Sequence, residues 1–120
     1  MRPPAADQAV AILRRQVPEF EERFLDLVEL YGEDLTAEAV FMELADFVTG
    51  LLVSCGAPGT LDRCFSAADE VVRTLAGGRE LVGYALLNEV PPGARPLAEP
   101  HLSTAMTTLL ERLEAGGLSS

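Results

Sequence analysis

The chain has no tryptophan, no lysine, one histidine and two cysteines in 120 residues. Each scarcity removes a class of function. Two thiols and one imidazole cannot complete a four-ligand structural zinc site, and no CxxC or HExxH spacing occurs, so no metal is expected. GxGxxG, GxxxxGK[ST] and GxSxG are missing as well, and no cofactor is expected. Long apolar runs are also lacking. The best, Leu81 to Leu87, is seven residues and contains a glycine, against the ~20 that a membrane helix requires. The opening Met1-Arg2-Pro3-Pro4-Ala5-Ala6-Asp7 contains no apolar stretch of the secretory kind, which points to a cytoplasmic setting. In that reducing setting Cys55 and Cys64 read as two buried thiols rather than a bridge.

Positive charge is the other scarcity. Nine arginines face nineteen acids, a formal net charge of −10. Such a field repels phosphate, so neither nucleic acid nor an anionic membrane is an expected ligand. What is plentiful is ordinary globular material: 48% of residues are hydrophobic and 23% charged, enough to build one packed domain over 1–120 without a metal or a disulfide. Residues 1–4 and 117–120 are expected to fray.

Apolar residues recur with a period near 3.6, and no alternating strand pattern stands out, so an all-α domain is expected, a compact bundle or a short stack of about six antiparallel helices. The first runs from about Ala5 to Gln16 with Ala6, Ala9, Val10, Leu13 and Val17 on one side. Pro18 ends it and opens the second, where Phe20, Phe24, Leu27, Val28 and Tyr31 form the inward stripe and Gly32 is the stop. Thr36 caps a third helix to about Ser54, with Val40, Leu44, Phe47, Val48, Leu51 and Cys55 inward. Thr60 is read as the cap of a fourth, striped by Leu61, Cys64, Phe65, Ala68, Val71, Val72 and Leu75 and ended by Gly77-Gly78. The fifth, Arg79 to Val90, is apolar nearly all round and should be central. A last helix is expected from Pro100 to Gly116.

The acids are not evenly spread. Between Pro18 and Asp46 stand ten carboxylates against Arg23 alone, while the rest of the chain is nearly neutral. On the second helix Glu19, Glu22, Asp26 and Glu29 fall within one arc, a ridge about 15 Å long. Like charges three and four residues apart oppose helix formation, so folding does not explain the ridge. One reading is a solvated face. The other is a docking surface for a basic protein, with Leu25 and Leu30 beside the ridge and Met42 among Glu38, Glu43 and Asp46 giving apolar contact inside a charged rim.

Few residues are placed for catalysis, and none is expected to act as a catalytic group. His101, near the start of the last helix, has no nucleophile partner visible in the sequence and reads as structural or exposed. Asn88 and Glu89 lie on the otherwise apolar fifth helix, and Glu89 sits at the helix end that disfavours an anion. With Tyr84 they mark a possible small-ligand or enzymatic pocket, a competing reading to the docking surface. A third is a structural subunit self-associating through Leu25 and Leu30.

Two stretches, Phe41-Met42-Glu43-Leu44-Ala45-Asp46-Phe47-Val48 and Leu86-Leu87-Asn88-Glu89-Val90-Pro91, resemble a family of small acidic all-helical domains that is similar to immunity proteins of bacterial polymorphic toxin systems. The resemblance spans the middle two thirds of the chain. It implies a cytoplasmic, non-enzymatic protein that neutralises a toxin by binding it, in keeping with an acidic ridge that meets a basic partner.

Overall fold

Why the helices begin and end where they do is local chemistry. A computed structural model describes residues 4–54 and 56–116, with side chains from Gln8 onward. The burial expected of Ala6 and Cys55, and the fraying expected at 1–3 and 117–120, lie outside these residues. Pro4, expected to fray, instead opens α1 (Pro4–Gln16). Val17 leaves the helix at φ −125°, as a residue preceding proline tends to. Pro18 then heads a 3-10 turn, Pro18–Phe20, that runs into α2 (Glu21–Tyr31). α2 ends at Gly32, whose φ of +56° is one that glycine adopts without strain. A second 3-10 turn, Gly32–Asp34, leads to α3 (Ala37–Ser54). The expected cap is in place: Thr36 Oγ1 accepts from the Ala39 N–H at 3.1 Å.

Three boundaries differ from expectation. α4 (Pro58–Thr74) starts two residues before Thr60, because Ala57 turns the chain at φ +45° and Pro58 fits the first helical position. Thr60 is thus buried in the first turn and donates its hydroxyl to Glu19 Oε2 at 2.9 Å. α5 is only briefly α-helical (Gly78–Leu81) and continues as a π-helix over Val82–Leu87, where the Asn88 N–H reaches the Gly83 carbonyl at 2.8 Å. A segment apolar on every side carries no period from which that widening could be read. It buries Val82, Gly83, Ala85, Leu86 and Leu87 while leaving Tyr84, Asn88 and Glu89 exposed. The last long helix, expected from Pro100, begins later. A single turn, α6 (Arg95–Ala98), and a 3-10 turn, Glu99–His101, come first. α7 (Thr104–Glu114) then follows Ser103, whose Oγ accepts from the Met106 N–H at 3.1 Å. A true side-chain cap outcompetes proline at this start.

The helices form an all-α bundle of 35 × 35 × 20 Å, about two helix diameters thick, with no strand among the described residues. α4 is the hub, lying against α1, α5 and α7, while α3 packs on α1 and on the π segment. Phe20, Phe41, Phe65, Leu13, Leu44, Leu86 and Met106 are fully buried between them. Gly78 sets the closest crossing: a Cβ there would lie 2.1 Å from the Val71 carbonyl oxygen, so any side chain would push α5 off α4. α2 is the least embedded long helix. Only Phe24 and Leu27 of its own residues are buried, and Val28 and Tyr31, expected inward, are exposed.

Candidate docking face

The site grows from the position of α2 at the edge of the bundle. Phe20, just before it, meets Phe47 of α3 edge-on with ring centroids 5.8 Å apart. Arg14 of α1 lies over the Phe24 ring at 4.4 Å and grips both oxygens of Glu21. That hydrogen-bonded pairing, more than its Coulomb attraction, holds the Glu21 carboxyl below its ordinary pKa and raises that of Arg14. Arg23 lies 5.1 Å over the Phe47 ring and bridges Glu43 Oε2 at 2.7 Å and Asp46 Oδ2 at 3.1 Å. These contacts fix one side of α2 and leave the other to solvent.

The structure divides the expected docking acids in two. Glu19 lies on the 3-10 turn rather than on the helix, and although exposed it reaches across to Thr60 and Arg63 of α4. Glu43 and Asp46 are engaged by Arg23. Glu22, Asp26 and Glu29 remain exposed and form no ion pair among the described residues. The ridge is therefore about 10 Å long rather than 15. Leu25 and Leu30, at 54% and 72% exposure, stand beside it. With Val28 and Tyr31 they make α2 the source of four of the eight large hydrophobics exposed among the described residues, a density that core packing does not account for.

Met42 shares one groove with Tyr84 and another with Glu89. α3 and the π segment run side by side, and two open grooves lie along their seam with the half-exposed Met42 between them. The larger, about 380 Å³, has Met42, Leu81, Tyr84 and Ala85 as apolar wall and Glu38 and Glu80 as rim. The smaller, about 240 Å³, is formed by Met42, Ala45, Thr49 and Pro91 with Asp46 and Glu89. Glu38, Glu80 and Glu89 form no ion pair among the described residues. Among the described residues no arginine lines either groove. Asn88 lines neither groove, and Tyr84 and Glu89 lie in different ones, so the three do not frame a common pocket. The sequence alone places Met42 and Tyr84 in separate sites. They lie 42 residues apart, and no local signal joins them.

Other candidates resolve into structure. His101 Nδ1 meets Asp62 Oδ1 at 2.5 Å and its ring stacks on Phe65 with centroids 6.2 Å apart, tying the turn before α7 to α4. Cys64 is a fully buried free thiol, and burial pushes its pKa up to about 12, against a smaller opposing pull from Arg63. Among the described residues no three His, Cys, Asp or Glu side chains converge as a metal site, and no helix is long and apolar enough to cross a membrane. Comparison of the chain with protein-family models, curated proteins and solved structures finds no match.

Proposed function

We propose that this chain is a non-enzymatic protein-binding module that docks a basic protein through the outward face of α2 and the adjoining face of α3. The observation that carries the reading is the coincidence on α2 of exposed Leu25 and Leu30 with Glu22, Asp26 and Glu29, none of them ion-paired among the described residues. Apolar side chains inside a charged rim give contact area that can be desolvated, while the acids raise the rate of encounter with a cationic surface. An immunity-like inhibitor acting in the cytoplasm on a basic toxin is the form of this function that the family resemblance implies.

The test compares capture by the native chain with capture by a Glu22→Gln, Asp26→Asn, Glu29→Gln variant, read by mass spectrometry over a salt series. A basic protein retained by the native chain, lost to the variant and lost again as the Debye length shrinks from about 10 to about 3 Å, supports the reading. Equal recovery by both chains at every salt concentration refutes it. The self-associating alternative has the opposite signature. Sedimentation would show a dimer that salt strengthens, because screening relieves the repulsion between two acidic faces.

A further inference from the structure

We infer that the paired grooves on either side of Met42 hold two apolar side chains of a cationic, amphipathic helical segment carried by the protein partner. The inference rests on the reading that the partner is a basic protein, and it assigns a binding mode to a part of the surface distinct from the α2 ridge. Four observations converge on it.

The first is shape. The two grooves share Met42 as a saddle, and the α3 residues that line them, 38 to 42 above and 42 to 49 below, are centred roughly 8 Å apart along the helix axis. That distance lies between one and two turns of a second helix laid along the seam, so residues one to two turns apart on a single face would reach both.

The second is wall chemistry. Met42, Leu81, Tyr84 and Ala85 give the larger groove its apolar surface, and Met42 and Tyr84 are both close to half exposed. Methionine adapts to irregular contacts, and an aromatic ring gives area at little entropic cost, which suits both to docking.

The third is charge. Each groove has two carboxylates, Glu38 with Glu80 and Asp46 with Glu89, and among the described residues neither has a cation in its wall. Of the four acids only Asp46 is ion-paired among the described residues, with Arg23. A segment complementary to this rim places Lys or Arg beside each apolar anchor, whereas an acidic segment, or a second copy of this chain docked through its α2 ridge, would be repelled.

The fourth is an unmet hydrogen bond. Thr49, in the wall of the smaller groove, has a buried hydroxyl with no partner among the described residues, and an unsatisfied buried group of this kind destabilises the unbound chain. The π-helix belongs to the same picture. By burying its neighbours around Tyr84 it turns that ring outward at the seam, and departures of this kind recur at functional sites.

The test uses three synthetic helical peptides of equal length: one with leucines at i, i+4 and i+7 flanked by Lys and Arg, one with the same residues in scrambled order, and one with the bases replaced by Glu. Binding is read by 1H–15N and methyl chemical-shift mapping on the full chain. The inference expects saturable binding of the first peptide, shifts centred on Met42, Tyr84 and Thr49, and at least roughly tenfold weaker binding of the other two. Met42→Lys should weaken the first peptide by about tenfold or more, and a Glu38→Gln, Glu80→Gln variant by a smaller factor that salt abolishes. Both sets of positions are exposed, so both variants should fold. Equal binding of ordered and scrambled peptides, shifts confined to α2, or no binding at all would overturn it. The α2 triple variant separates the two proposals: peptide binding that survives it while partner capture fails upholds both. Grooves that bind the peptide in a chain whose partner capture ignores α2 would keep this inference and remove the α2 reading.

Discussion

α2 and α4 are both amphipathic helices that carry acids, and they treat them in opposite ways. On α4 every carboxylate has a partner. Asp62 meets His101, Asp69 meets Arg73 and Ser103, and Glu70 meets Arg15 and Gln16. On α2 only Glu21 is held, by Arg14, and Glu22, Asp26 and Glu29 are not ion-paired among the described residues. The apolar residues follow suit: α4 contributes no large exposed hydrophobic, α2 contributes four. The same residue types thus build a hub in one place and an unfinished face in the other. A helix that only had to fold would resemble α4.

The comparison is tested most strongly in the core. Phe65→Ala on α4 should cost about 3–5 kcal/mol of unfolding free energy in a urea titration, because it opens a cavity beside His101 at the hub. Leu25→Ala or Leu30→Ala on α2 should stay within about 0.5 kcal/mol of the native chain. A comparable loss from either leucine would mean that α2 is packed and not free. Next in size is Gly78→Ala, expected to cost about 1–3 kcal/mol, since the new Cβ meets the Val71 carbonyl, a backbone atom that cannot step aside cheaply.

A third prediction concerns Cys64. Its thiol titrates near 12 in the folded chain and near 9 when unfolded, so the unfolded state releases this proton first as pH rises. The stability linked to it is fully present below pH 9 and falls from there towards 12. Alkylation at pH 8 should therefore spare Cys64 until denaturant unfolds the bundle. Rapid labelling of the native chain at that residue, read by peptide mass spectrometry, would contradict its burial. Smaller again is Arg23→Ala. Removing the cation that bridges Glu43 and Asp46 should cost roughly 1 kcal/mol at low salt and less at high salt. It should also make capture of a basic partner more salt-sensitive, by freeing two carboxylates.

Much of this architecture was legible because it is local. Pro18, Gly32, Thr36 and the 3.6-residue spacing of Phe20, Phe24 and Leu27 mark starts, stops and faces through the conformations they favour. Thr60 misled because a threonine after a turn resembles a cap, whereas Ala57 and Pro58 had already started α4. The π-helix was hidden by uniform apolarity. Val28 and Tyr31 fit the inward stripe by spacing, yet the bundle ends before it reaches them. At the candidate site the ridge itself could be read from spacing. The capture of Glu19 by Arg63, 44 residues away, could not, since which arginine neutralises which acid is decided by packing. Nor could the seam that brings Tyr84 beside Met42.

The α2 carboxylates should oppose folding while those of α4 support it. Urea unfolding of the Glu22→Gln, Asp26→Asn, Glu29→Gln variant and of Glu70→Gln, each at low and high salt, measures this directly. The triple variant should be as stable as the native chain or a few tenths of a kcal/mol more stable, with the gain vanishing at high salt. Glu70→Gln should lose up to about 1 kcal/mol. A triple variant that unfolds at clearly lower urea than the native chain would show that those side chains belong to the fold, and the docking face would lose its foundation.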